Sequence, residues 1–192
     1  MILGSGGAGK STLARQIGHI LTIPVTHIDQ LFWQPHWHAV ERDTLIARQH
    51  AIVTQPQWIM DGNYTSTLDV RLAHADTVIV LNMPRWRCLY RVIARRIMYH
   101  NRTRPDMGAD CPEHLTWEFL KFIWNYPKRI PALKSRLAAL PNIHHDERHR
   151  LIDRIRGLRP VGFDGQFNDR FRRHQAGGDE HRREAGNGNW WT

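Results

Sequence analysis

The chain has 192 residues, 41% of them hydrophobic, which suits one domain with a sizeable core. No apolar run approaches the roughly 20 residues of a membrane span, and the start lacks the basic flank of a secretory signal, so a cytoplasmic protein with no membrane partner is expected. The net charge of +9 favours anionic partners such as nucleotides, phosphorylated metabolites or nucleic acid, and the two cysteines, Cys88 and Cys111, are expected reduced and make a weak zinc signal.

Ile2-Leu3 reads as the stub of a first strand and leads straight into a glycine-rich stretch. Lys10 to about Leu21 reads as a helix with Leu13, Ile17 and Ile20 on one face. A second strand fits Val25 to Ile28, with Asp29 at its end, and an aromatic stretch broken by Pro35 follows. A helix is expected from about Ala39 to Thr54, with Leu45, Ile46, Ile52 and Val53 turned inward. Trp58 to Met60 is a short strand running into Asp61-Gly62-Asn63-Tyr64, and a helix through Leu72 comes next.

Thr77 to Leu81 is the clearest buried strand, continuous and rich in β-branched residues. Pro84 suits a helix start, and the helix from Arg85 to about Tyr99 carries Leu89, Val92, Ile93 and Ile97 on one face. A loop of turn-forming residues separates it from a helix that begins near Leu115, breaks at Pro127 and Pro131 and resumes to about Leu140. Asn142 to His145 reads as a last strand and Asp146 to Gly157 as a last helix. Such alternation predicts an α/β fold in three layers, a mostly parallel sheet of about five strands with helices on both faces. The domain is expected over 1–157, and 158–192, poor in aliphatic residues, is expected to be disordered.

Gly4-Ser5-Gly6-Gly7-Ala8-Gly9-Lys10-Ser11 satisfies G-x-x-x-x-G-K-[ST] in full, with Thr12 next. In that P-loop the glycines let the backbone wrap a phosphate, and the following helix adds its positive end. Lys10 can reach the β- and γ-phosphates, and the Ser11 hydroxyl can ligate Mg²⁺, so ATP and Mg²⁺ are the expected ligands. A chance glycine-rich turn is the bland alternative, and the apolar lead-in and amphipathic helix count against it. With only three residues ahead of the loop, against the usual five or six of a strand, that lead-in is expected to be the weak part of the sheet.

A P-loop needs a carboxylate for its metal, and the strand ending at Leu81 is followed by neutral Asn82. Asp29 and Asp61 each close a predicted strand, on the sheet edge that carries the P-loop. One can serve as base on an acceptor hydroxyl while the other orients the metal, in either assignment; the alternative is that each caps a turn. From Arg85 to Arg104 there are seven arginines and no acid. Arg87, Arg91 and Arg95 follow one another at helical spacing, and Arg96, Arg102 and Arg104 lead into the loop. Guanidinium forks suit phosphate, so Arg91, Arg95, Arg96 and Arg104 are candidates for a lid over about 96–114. An exposed basic helix is the alternative. Phe32, Trp33 and Trp37 either stack on a ligand or form core beneath a loop. His36, His38, His144 and His145 lack a full ligand set and read as ordinary histidines.

The stretches "GSGGAGKSTLA", "HIDQLFWQPHW", "WIMDGNY", "DVRLAHADTVIVLNMPRWRCLYRVIARR", "RTRPDMGADCPE" and "EFLKFIWNYP" together resemble the bacterial DNA topology modulation proteins, a FlaR-related family of adenylate-kinase-like P-loop NTPases. The resemblance spans most of residues 1 to about 155. It implies a nucleoside- or nucleotide-kinase-like core with a short lid, ATP binding, and a place for Asp61 beside metal and acceptor. The chain departs from the family at Asn82, where an Asp is usual, in its short first strand and in its tail. The expected activity is transfer of the ATP γ-phosphoryl group to a small acceptor. The rivals are a DNA-associated ATPase, less favoured because no DNA-reading motif is present, and a nucleotide-binding protein without catalysis. Neither the acceptor nor the oligomeric state is legible.

Overall fold

The computed structural model describes residues 1–100, 102–138 and 143–145. The expected helix over 146–157 and the tail over 158–192 lie outside the described residues.

Five parallel strands form one sheet: β1 (Ile2–Gly4), β2 (Val25–His27), β5 (Ile59–Asp61), β6 (Val78–Leu81) and β7 (Ile143–His145), in the order β2-β5-β1-β6-β7. The expected three-layer α/β architecture is therefore what forms. Strand periodicity explains the layers, because neighbouring residues on a strand face opposite sides. Ile2, Ile59, Ile79 and Leu81 join a core with Leu13, Ala14 and Ile17 of α1 (Lys10–Leu21), Cys88 and Val92 of α5 (Arg85–Met98) and Ile123 of α6 (Trp117–Asn125). Leu3, Val78 and Val80 face the other way, onto Leu68 of α4 (Leu68–Leu72) and Leu137 of α7 (Ile130–Leu137). Met60 joins Leu45 and Val53 of α3 (Arg42–Val53). Every strand residue of β1, β5 and β6 is buried, which is why those segments read as continuous apolar runs.

The strand order puts β1 in the middle. Its carboxyl end releases the P-loop beside the carboxyl ends of β5 and β2, so Gly4, Asp61 and His27 meet on one edge. Connections leave β1 and β5 towards opposite edges of the sheet, making the crevice where such folds bind ligands.

Several local expectations are corrected. β2 ends at His27, and Asp29 lies in the first turn of a short helix, α2 (Ile28–Phe32). α3 starts at Arg42 rather than Ala39, because β3 (Trp33–Gln34) and β4 (His38–Ala39) pair antiparallel around Pro35–Trp37. The segment to Leu72 is a 3₁₀ turn plus the short α4 rather than one helix. Ile93 and Ile97 do not face the core; they are 47% and 73% exposed. The reason is the contact between α5 and the P-loop. Gly7, at φ 75°, lies so close to the Cys88 carbonyl and the Val92 side chain that a Cβ would collide with both. That contact turns the Cys88–Val92 face inward and the isoleucines outward.

Candidate functional site

The P-loop joins β1 to α1. Gly9 caps α1 in the left-handed region at φ 95°, and the first turn of α1 holds no acid. The positive end of the helix therefore faces the loop uncompensated by a carboxylate of its own. The Lys10 ammonium folds back to donate to the Ser5 carbonyl at 3.0 Å. Burial lowers its pKa, while Asp61 and Asp29 pull the other way. Ser11 Oγ donates to Asp61 Oδ2 at 2.9 Å, and the other Asp61 oxygen is paired with His27 Nδ1. Asp61 is the last residue of β5 and is 4% exposed, so its carboxylate is spent on these neighbours rather than on water.

The turn after β5 is a hub. Asn63 holds the first P-loop residue from both sides: Gly4 N donates to its Oδ1 at 3.1 Å and its Nδ2 donates to Gly4 O at 2.8 Å. Tyr64 is left-handed, at φ 34° and ψ 64°, and its hydroxyl lies 2.7 Å from Asp29 Oδ1. Arg71 of α4 explains how this backbone is held. Its guanidinium donates to the carbonyls of Gly62 at 2.6 Å, Asn63 at 2.6 Å and Tyr64 at 3.2 Å.

Asp29 therefore faces Tyr64, with Lys10, Arg104 and Asp61 within electrostatic range. Burial raises its pKa, and the Tyr64 hydrogen bond and the two cations oppose the rise. The loop over 102–114 closes this side. Gln30 Nε2 donates to the Pro105 carbonyl at 2.7 Å, and His36 N donates to the Asp110 carbonyl at 3.1 Å. Trp33 packs with Met107 and Cys111 as core under the loop, which decides between the two readings offered for it. Gly108 meets the Trp33 backbone so closely that a side chain would collide with the Trp33 carbonyl.

The arginines expected in a lid are not bare. Arg95 Nε donates to Glu113 Oε1 at 2.8 Å, Arg104 Nε lies 2.5 Å from Glu113 Oε2, and Arg104 Nη1 donates to Asp106 Oδ2 at 2.8 Å. Glu113 and Asp106 lie just beyond the arginine block and were missed in the sequence as partners for it. Burial alone would raise the Asp106 carboxyl, but Arg104, with help from the Ser11 hydroxyl, holds it below the ordinary value. Arg91 Nη1 reaches the Ala8 carbonyl at a long 3.5 Å, and Arg96 turns to His100 Nδ1 at 2.7 Å. So Lys10, Ser11, Asp29, Asp61, Arg95 and Arg104 come together around one crevice, Arg91 touches the loop's rim, and Arg96 is directed away. His27, Asn63, Tyr64 and Arg71 also belong here. Asn63 and Tyr64 could have been signalled by their place in "DGNY"; His27 and Arg71 carry no such local signal.

A magnesium ion would find hard oxygen donors at Ser11 and Asp61, with Asp106 within hydrogen-bonding reach of the same hydroxyl. Mg²⁺ needs only one or two protein oxygens when phosphates and water complete its shell, so this donor set fits. Among the described residues, no group of three or more His, Cys, Asp or Glu side chains is placed to hold a metal alone, and no helix is long and apolar enough to cross a membrane.

The chain is similar to solved structures of P-loop kinases. A shikimate kinase from Bacteroides thetaiotaomicron superposes with TM-score 0.51 at 18% identity, over 82% of this chain and 95% of that one. A shikimate kinase from Acinetobacter baumannii, solved in complex with shikimate, gives TM-score 0.52 at 14% identity, over 82% of this chain and 89% of that one. At these identities the likeness establishes the α/β P-loop kinase fold. No family model and no curated protein sequence matches the chain.

Proposed function

We propose that a chain with this kinase-like fold is an ATP-dependent phosphotransferase acting on the hydroxyl of a small acceptor. The observation that carries the reading is the convergence of Lys10, the Ser11–Asp61 pair and Asp29 at the carboxyl edge of one parallel sheet. In this reading, the P-loop backbone from Gly4 to Thr12 binds the phosphates, and Lys10 leaves Ser5 to neutralise the β- and γ-oxygens. Ser11 and Asp61 would hold Mg²⁺, which would supply charge neutralisation to the phosphates. Asp29, unprotonated, takes the proton of the acceptor hydroxyl as its oxygen bonds to the γ-phosphorus and the bridging bond to ADP breaks. Arg95 and Arg104 exchange a carboxylate partner for the transferring phosphoryl group, and the closed lid excludes water. The buried Asp29 carboxyl, its pKa raised, suits a base better than a surface carboxylate would.

The test is phosphate transfer from ATP across nucleosides, nucleoside monophosphates and small hydroxy acids, with Lys10→Ala as control. The variant should lose ATP binding or turnover; unchanged binding and turnover would sink the reading. A wild-type chain that binds ATP and transfers nothing would point to nucleotide binding without catalysis.

A second reading has one observation behind it. α5 exposes Trp86 and Tyr90, with Arg85 and Arg87 also exposed, and the Arg85 guanidinium lies over the Trp124 ring. Aromatics interleaved with arginine suit nucleic acid, and the sequence stretches that resemble the DNA topology modulation proteins point the same way. ATPase stimulation by DNA with a steep salt dependence would favour it; no binding at moderate salt removes it.

A further inference from the structure

We infer that Tyr64, through a direct hydrogen bond, positions the Asp29 carboxylate as the proton acceptor of the transfer step, a role that rests on the phosphotransferase reading. An ionised carboxylate only accepts, so the single proton of the Tyr64 hydroxyl is directed to Asp29 Oδ1, 2.7 Å away. Burial and the adjacent Asp29 push the Tyr64 phenol well above its usual pKa, so the proton stays on tyrosine as a donor.

The backbone is arranged for this contact. A left-handed tyrosine is strained by about 1–3 kcal/mol and persists only where its surroundings over-determine it. Here Arg71 holds the Tyr64 carbonyl and the two before it, and the Tyr64 ring packs against Phe32 with centroids 5.0 Å apart. Phe32 packs in turn edge-on against Trp33, centroids 4.7 Å apart, and Trp33 lies in the cluster with Met107 and Cys111. Ring packing thus connects the loop over 102–114 to the tyrosine.

Tyr64 is a positioning residue and acts through Asp29. One Asp29 oxygen is taken by the tyrosine, which leaves the other to face the acceptor. The remaining charged neighbours of Asp29 are Lys10, Arg104 and Asp61. Loss of the tyrosine hydroxyl removes the hydrogen bond that opposes the effect of burial, so the carboxyl should protonate at higher pH.

The experiment measures phosphate release from Mg-ATP with water as acceptor, in wild type, Tyr64→Phe, Asp29→Asn and the Asp29→Asn/Tyr64→Phe double variant. Phenylalanine keeps the Tyr64 ring packing, so the variant should fold. Tyr64→Phe should lower kcat about tenfold, in the low range for a proton-transfer effect, with KM for ATP within about twofold. The acid limb of its pH–rate profile should move to higher pH. On the Asp29→Asn background, Tyr64→Phe should cost nothing further, because the residue it serves is gone. An acid limb that stays in place, or an equal loss on both backgrounds, would overturn the inference. A wild-type chain that binds Mg-ATP but neither hydrolyses nor transfers it removes the phosphotransferase reading, and the catalytic role of the chain with it. The two failures differ: the first shows in the variants, the second in the wild type.

Discussion

Arg71 is wholly buried, and its contacts are backbone carbonyls. Burial lowers its pKa to about 10, still far above neutrality, so it stays charged and donates to three successive residues. Arg71→Leu would leave those carbonyls without their donor in a dry site. Each unsatisfied buried group costs ~1–3 kcal/mol, so a loss of about 3 kcal/mol or more in urea denaturation is expected. Nucleotide affinity should fall too, because Asn63, in the same turn, clamps both polar groups of Gly4. Asn63→Ala should weaken ATP binding about tenfold by calorimetry, an effect of order 1.4 kcal/mol, with the fold intact by circular dichroism. The P-loop carrying Lys10, Ser11 and Thr12 was legible from spacing alone. Arg71 was not, because one arginine in a short helix looks like any other until three carbonyls are brought around it.

At the scale of elements, the loop over 102–114 and α5 decide the site's electrostatics. Two arginines, Arg95 and Arg104, share one glutamate, Glu113, whose side chain is 2% exposed. Removing one partner of a buried ion pair costs ~3–5 kcal/mol because the other charge is stranded. Glu113→Ala should therefore release the loop. Hydrogen exchange over 102–114 should rise by about tenfold or more, while exchange in β1 and β6 stays unchanged. Gly108→Ala tests the same docking sterically: the added carbon meets the Trp33 carbonyl, so the loop should again loosen with no charge altered. The seven-arginine block was visible in the sequence. Its neutralisation was not, because Asp106 and Glu113 lie beyond the block and return to it only when the loop folds back. The outward face of α5 was misjudged for a similar reason. Helical periodicity groups Ile93 and Ile97 with Leu89 and Val92 by apolarity; Val92 is buried as expected, and the approach of Gly7 to Cys88 and Val92 is what leaves the isoleucines outside.

On the scale of the molecule, the P-loop is suspended from a three-residue strand between two apolar layers. Leu13, fully buried behind the loop, ties α1 to the core. Leu13→Ala should cost ~2–5 kcal/mol in urea denaturation, as for other large-to-small core changes. If Mg-ATP binds the folded chain as proposed, a concentration of 100 times Kd should stabilise it by ~2.7 kcal/mol, seen as a rise in Tm that Lys10→Ala abolishes.

Local rules were enough for much of this protein. Eight consecutive residues specify a phosphate-binding loop, because its glycines, lysine and serine act within one turn of chain. Alternating apolar runs and helical periods specify a layered parallel sheet, because strands buried on both faces must be apolar throughout. Tertiary structure decided what those rules do not reach. Ser11 and Asp61, Asn63 and Gly4, Tyr64 and Asp29, and Arg95 and Glu113 meet across gaps of 50, 59, 35 and 18 residues. No periodicity encodes such pairs; strand order and loop closure bring them within hydrogen-bonding distance, and the chemistry of the site depends on those meetings.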